Sequence, residues 1–459
     1  MTTLLTIRRL TAATLVALVA LAASAGPSAG ASAAPYRAGE VIVGYQPGPL
    51  LMATRAVAGA WGAPPTAPTS AASQEDVLHL SAGESVPQAV ARLQRRPGIA
   101  YAVPNYLAHI AGTTPGQWVP NDPGKTHSPG GWEQMQWNFL PGFGINVPNA
   151  WANLRADGRP GGRGVVVAVL DTGVAYRDWH QFRRSPDFNT TRFAAPYDFV
   201  ARNAYPLDRQ GHGTFVTGTI AESTGNGIGL TGIAYGATIM PVRVLDASGF
   251  GDAATIGRGI RYAVGHRARV INLSLEFDPS VTAGEIPSIL SAIDYAHRRG
   301  VVVVGASGNE GENQMAYPAR DHSVISVGAT TRDRCLADYS NGGHGLDLVA
   351  PGGGQDATIG SDPNCHSERS LPPIFQMTFG NPAHPDRFGF PGGWFGTSMA
   401  AAHVAGVAAL VIASGVLGPH PSPSAVLARL EATAQPLGGT RPNSSYGYGL
   451  LDAGAATAP

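Results

Sequence analysis

The strongest constraint on this chain is a set of short, almost uninterrupted aliphatic runs: Val165–Leu170, Ile239–Leu245, Val270–Leu275, Val301–Val304 and Val324–Val327. A strand with one wet face alternates apolar and polar residues. These runs do not, so they are expected to be strands covered on both sides. Stretches of helical period fall between several of them, at 253–266 and 287–299. Strand and helix in alternation build an α/β fold, a mainly parallel sheet with helices on both faces. Reactive groups in such a sheet collect at the carboxyl ends of the strands. Asp171 stands at such an end, directly after Val165–Leu170.

Composition narrows the chemistry. The 459 residues allow one large domain or two to three smaller ones. Charged residues make up 14%, with 31 basic against 31 acidic, so no basic field points to nucleic acid or an anionic membrane. Glycine (60) and proline (37) are frequent, but apolar residues reach 44%, which suits a globular chain rich in tight turns. The only lysine is Lys125, in a loop-like Pro-Gly-Lys-Thr-His stretch. A Ser–Lys dyad, a phosphate-loop lysine or a Schiff base would each need that residue, and its setting excludes all three. Cys335 and Cys365 lack metal-site spacing. In an exported chain they would form one bridge, closing a loop of about 30 residues and contributing about 3 kcal/mol; the alternative is two unpaired thiols.

Residues 1–33 read as a secretory leader: Arg8 and Arg9, an apolar core from Leu10 to Ala22, then Ala31-Ser32-Ala33, with a second candidate cut after Ala23-Ser24-Ala25. The core is too short and alanine-rich for a stable membrane span. Gly26-Pro27-Ser28-Ala29-Gly30 matches the esterase G-x-S-x-G pattern but lacks its strand–turn–helix context. Residues 35–112 form a separate pattern. Strand-like Glu40–Tyr45, Val77–Leu80 and Ile99–Val103 flank a helical Val86–Leu93, as in a small ferredoxin-like α+β module. A Gly/Pro/Thr-rich linker at 113–131 follows, and the large domain occupies 132–459.

Three short motifs carry the chemistry: Val169-Leu170-Asp171-Thr172-Gly173, Gly211-His212-Gly213-Thr214 and Gly396-Thr397-Ser398-Met399-Ala400. A serine hydroxyl is a weak nucleophile unless a base touches it and a third group holds the base's tautomer. Small flanking residues let a substrate backbone come close. His212 and Ser398 each open an apparent helix, whose free amides favour developing negative charge. Alone, each motif is weak: a glycine-flanked histidine is commonly a turn residue and a strand-end aspartate a cap.

In the order Asp–His–Ser, these motifs resemble the subtilisin-like serine proteases (subtilases, peptidase family S8) over most of residues 132–455. The resemblance implies a three-layer α/β/α domain and a secreted serine endopeptidase acting on polypeptides. Ser398 would be the nucleophile, His212 the general base and Asp171 its orienter. Asn309, in Gly305-Ala306-Ser307-Gly308-Asn309, would donate to the oxyanion. The N-terminal module would be an inhibitor I9-like propeptide, acting as an intramolecular inhibitor and removed by self-cleavage within 106–118; the mature protein would be a monomer. Ser274, Leu275 and Glu276 would pair with extended substrate, with Ala306 and Gly308 on the opposite wall of the specificity pocket. Glu276-Phe277 replaces the glycine pair common in the family, and a carboxylate there would favour basic or polar substrate residues. Phe215 and Ala402 are two further departures, both off the proton path. The loop Gly225–Leu230 resembles the family's calcium loop, with Asn226, backbone oxygens of Ile228 and Leu230, and the carboxylate of Asp187 as expected Ca2+ ligands, Asp178 being the rival carboxylate. The segment 352–394 reads as an insertion forming a surface loop. An esterase or a non-catalytic scaffold protein are the competing readings; the triad order counts against the first and the four intact catalytic positions against the second.

Overall fold

The computed structural model describes residues 36–46, 75–81, 83–106 and 118–459. The leader at 1–33 and most of the processing stretch 106–118 lie outside them. The chain forms two units, residues 1–113 and 114–459.

In the first unit, strand β1 (Tyr36–Tyr45) lies between β2 (Glu75–His79) and β3 (Ile99–Tyr106), antiparallel to both. The helix Val86–Leu93 buries Val86, Ala89 and Leu93, spaced to share one face. They pack with Val41, Val43, Leu78 and Ala102. Ser85 and Gln88 close a reciprocal capping box at the helix start. Arg95 and Arg96 are exposed beyond its end.

The second unit is built on an all-parallel sheet of eight strands: β4 (Val166–Asp171), β5 (Arg192–Phe193), β6 (Tyr197–Asp198), β7 (Thr238–Arg243), β8 (Val270–Leu273), β9 (Val302–Ala306), β10 (Ile325–Thr330) and β11 (Leu348–Pro351). Their order is β11-β10-β9-β8-β4-β7-β5, with β6 also paired to β7. Residues along each strand alternate between two cores. Val167 and Val169 face one with the helices Val147–Ala156 and Thr397–Ser414, while Ala168 and Leu170 face the other with Ala253–Gly265 and Pro287–Arg298. That alternation is why the strand sequences are apolar throughout. From β4 the chain moves to β7 on one side and then crosses to β8 on the other. This reversal opens a crevice at the carboxyl edge beside β4.

The helix Thr397–Ser414 is long and apolar enough to cross a membrane, but 89% of it is buried inside the fold. Packing against both sheet and helices accounts for its composition.

Two boundaries differ from the sequence reading. Residues 118–131 are no linker: Trp118 packs edge-on to Trp151 at 5.8 Å, and Asp122 is fully buried and hydrogen bonded to the 225–226 backbone. Glycine and proline are frequent there because the segment turns tightly over the core. The insertion 352–394 is more than a surface loop, since Ile374, Gln376, Thr378 and Phe379 are all buried. Cys335 and Cys365 are joined in a disulfide.

Candidate active site

Asp171 ends β4 with no exposed surface and accepts the Thr172 amide at 2.7 Å. Both its carboxylate oxygens meet His212 Nδ1, at 2.8 and 3.0 Å. The proton therefore sits on Nδ1, which leaves Nε2 as the basic nitrogen. His212 is the first residue of the helix His212–Ala221, entered through Gly211 at φ +105°. Gly213 must be glycine: a Cβ there would lie 2.1 Å from the Gly173 carbonyl oxygen.

Asp208, unnoticed in the sequence, ties these pieces together. Its carboxylate accepts the hydroxyls of Thr172 and Thr214 and the amides of Gln210, Gly211 and Thr214. Thr172 Oγ1 in turn accepts the Gly213 amide at 3.0 Å. The Asp-x-x-Gly-His spacing is the only local trace of this cap. Burial acts to lower the His212 pKa, but the charge of Asp171, its hydrogen bond and the charge of Asp208 outweigh it and hold the imidazole above its ordinary value.

Ser398 lies in the first turn of Thr397–Ser414 and shares a cleft of about 480 Å³ with His212, Ser274, Leu275 and Glu276. Its Oγ donates to the Ser274 carbonyl at 3.3 Å rather than to His212, and Ser274 Oγ returns a 2.7 Å bond to the Ser398 carbonyl. Ala306 and Gly308 lead from the end of β9 to Asn309. The Asn309 Oδ1 accepts the Thr397 amide at 2.8 Å and its hydroxyl at 3.1 Å. Its Nδ2 donates to Glu276 Oε1 at 3.0 Å. The other Glu276 oxygen is buried without a hydrogen-bond partner. Burial, partly offset by the Asn309 bond and reinforced by the Glu310 charge, raises the Glu276 pKa.

Residues 162–449 match the profile described as the Subtilase family, which is more than half of the chain. The chain belongs to the subtilase family. Residues 22–105 match the fervidolysin N-terminal prodomain, so the match begins inside the stretch read as a leader. This subtilase is 33% identical over 375 residues to the thermophilic serine proteinase of Bacillus sp. (strain AK1), covering 82% of this chain and 76% of that one. It is 38% identical over 302 residues to subtilisin Savinase of Lederbergia lenta, covering 64% of this chain and 91% of the relative. Among solved structures, one described as proteases from Pseudoalteromonas arctica PAMC 21717 superposes with a TM-score of 0.58 at 30% identity, over 74% of this chain and 99% of that chain. The protein is a subtilisin-type serine protease with a prodomain.

The insertion of this subtilase reaches the site. Thr378 Oγ1 donates to the Gly211 carbonyl at 2.7 Å, one residue before His212. Trp394 stacks on Phe215, with centroids 4.9 Å apart, and its ring centroid lies 6.0 Å from that of His212. Phe215, off the proton path in the sequence reading, therefore supports the aromatic wall beside His212. Neither contact could be read from the sequence, because 352–394 has no periodicity and meets the site only through tertiary packing.

Among the residues expected to bind calcium, Asp187 is fully buried and hydrogen bonded to Asn226 and Leu230 through their N–H groups, at 2.9 and 2.8 Å. Asn226 Oδ1 accepts the Ile228 amide. Asp178 instead accepts the Arg184 amide, away from the loop. Asp122, missed in the sequence, accepts the amides of Gly225 and Asn226 at 2.7 and 3.1 Å. Burial is the main cause pushing Asp187 up to about 8, with the Asp122 charge adding to it. Nearby Glu222 is fully buried and neither of its carboxylate oxygens finds a hydrogen bond. Among the described residues, no three His, Cys, Asp or Glu side chains group closely enough to hold a metal ion on their own. Any ion here therefore needs amide and backbone oxygens as well. The carboxylates of Asp187, Asp122 and Glu222 are the oxygen donors a hard cation takes, although Asn226 and Leu230 turn N–H groups toward Asp187.

Proposed function

We propose that this subtilase is an exported endopeptidase that hydrolyses peptide bonds through an acyl-enzyme on Ser398. His212 takes the Ser398 proton as general base and returns it to the leaving amine as general acid. Asp171 holds the imidazole tautomer and stabilises the imidazolium. Asn309 donates to the oxyanion, and Ser274, Leu275 and Glu276 face Ala306 and Gly308 across the bound substrate. The observation that supports this best is the two-oxygen grip of Asp171 on His212 Nδ1, at the mouth of a cleft that also holds Ser398. The Ser398 hydroxyl must leave the Ser274 carbonyl to reach the base; apo catalytic bonds are commonly long or misaligned and tighten on substrate. Purified Ser398→Ala should hydrolyse casein roughly 10⁶-fold more slowly than the parent. Full activity in that variant, or a serine-directed inhibitor labelling another peptide, would remove Ser398 from the mechanism.

The N-terminal unit is proposed to be made as an inhibitory prodomain and cut away by the protease itself within 106–118. N-terminal sequencing of the exported protein reads that bond and the leader junction together. Calcium is proposed at the 225–230 loop, held by Asp187, Asp122, the Asn226 side chain and backbone oxygens of Ile228 and Leu230. The ion would neutralise buried carboxylates and so stabilise the fold by linkage. Unfolding temperature should fall on adding a chelator and recover with calcium; identical curves would count against the site.

A further inference from the structure

The side chain of Asn309 is held at its oxygen, and one of the two N–H donors on its nitrogen is engaged. Two donors of Thr397 fix its oxygen, so the amide nitrogen is the only part free to serve a ligand. That nitrogen already has an anion within reach, Glu276 Oε1 at 3.0 Å, which is the separation at which an oxyanion would be bound. A carboxylate in this place competes for the donor and also repels a second negative charge.

Glu276 itself is incompletely satisfied. Its second oxygen is buried and unpartnered, and it lies against Gly308: a Cβ added there would be 2.9 Å from Oε2. Gly308 has φ +120°, so a side chain is strained as well as crowded. The cleft that contains Glu276 is also lined by Asp278, and neither Lys nor Arg lines it; His212 is the only basic side chain. The charge of Glu310 adds to the negative surroundings of Glu276. Burial raises the cost of that carboxylate, and a cation placed beside it would relieve the cost. A cation is the partner that would satisfy this oxygen, and Glu276 is reached from the cleft that holds His212 and Ser398.

We propose that Glu276 is a gate on Asn309 that a basic substrate residue opens. An arginine or lysine supplying the scissile carbonyl pairs its cation with the Glu276 carboxylate and draws it from Asn309 Nδ2. That nitrogen is then released to donate to the oxyanion. With an apolar residue in the same place, Glu276 stays on Asn309, so one donor remains engaged and a negative charge remains beside the oxyanion position. Discrimination therefore falls on kcat more than on KM, because the lost interaction is one made only in the transition state. The proposal rests on the roles given to Ser398 and Asn309 above.

Matched peptides differing only in Arg or Leu before the scissile bond test it, on the mature protease and on Glu276→Gly, Glu276→Gln, Asn309→Ala and Ser398→Ala. The parent should turn over the Arg peptide faster in kcat by about 10²-fold, near the worth of one oxyanion donor. Glu276→Gly should raise kcat on the Leu peptide and erase the split. In Asn309→Ala the kcat split should vanish while any charge-based difference in KM persists. An Arg/Leu kcat ratio unchanged in Glu276→Gly, or a split that survives in Asn309→Ala, overturns the gate. If Glu276→Gly does not fold, Glu276→Gln tests the same point: the Arg advantage should be lost, and its persistence there overturns the gate. Failure of the gate is separable from failure of the catalytic reading: an active Ser398→Ala defeats the latter, whereas an inactive Ser398→Ala with no Glu276 effect defeats the gate alone.

Discussion

Around His212 five hydrogen bonds converge on Asp208 alone, and two more run from the imidazole to Asp171. Across the cleft, Ser398 Oγ rests on the Ser274 carbonyl and the Asn309 amide on Glu276. One side is held in tautomer and orientation by two buried carboxylates that keep their place through the proposed reaction. The other is parked on acceptors that must be vacated before the reaction. On the proposed roles, the difference places preorganisation on His212 and leaves Ser398 and Asn309 to be engaged by substrate, which is where selectivity can be imposed.

The sharpest way to break this contrast is Asp171→Asn. It keeps the shape of the site but lets the imidazole adopt the wrong tautomer, and kcat should drop roughly 10⁴-fold. The pH profile gives the sign independently. In the proposed mechanism His212 must be neutral to accept the Ser398 proton, and Asp171 and Asp208 hold its pKa above the ordinary value of about 6.5. Activity of the parent should therefore rise with pH through a value above about 6.5, and residual activity of the variant should rise at lower pH. An acid limb that stays in place would show that Asp171 does not set the charge of the base. Asp208→Asn should do less, about 10²-fold in kcat through misplacement of the imidazole, with a smaller acidward shift of the same limb and KM retained.

The placement of Asp171 and His212 was legible because each follows a local signature, a strand end after unbroken valines and a histidine pinned between glycines at a helix start. The position of Ser398 in the first turn of a helix was legible from the small residues opening an apolar run. The sheet was legible for the same reason: burial on both faces writes itself into every strand. Asp208 was not, since a capping aspartate looks like any turn residue until its five donors are placed. The bond between Glu276 and Asn309 spans 33 residues and that between Asp122 and Gly225 spans 103, distances over which no periodicity carries information. Trp394 was hidden in the same way, in a segment whose composition says turn but whose ring packs against Phe215 beside His212.

The smallest expected effect compares His212 with the other histidine near the serine. His403, on the same helix as Ser398, is fully buried, with Nδ1 2.7 Å from the Met399 carbonyl and Nε2 2.7 Å from Asn138 Nδ2. Nδ1 therefore carries the proton and Nε2 accepts from the amide. Burial lowers its pKa to about 4, the Met399 bond opposing only in part. The folded state thus binds no proton at His403 until about pH 4, whereas the unfolded chain binds one near pH 6.5. Its stabilising contribution is present above about pH 6.5 and is lost as pH falls to about 4, up to about 3 kcal/mol. His212 acts in the opposite sense, stabilising below about pH 6.5 and losing that contribution as pH rises through its raised value. Denaturant midpoints between pH 7 and 4 should fall less steeply in His403→Gln than in the parent, whatever the absolute loss from the substitution. Equal slopes would mean that His403 is protonated in the fold and that the helix carrying Ser398 tolerates a buried charge.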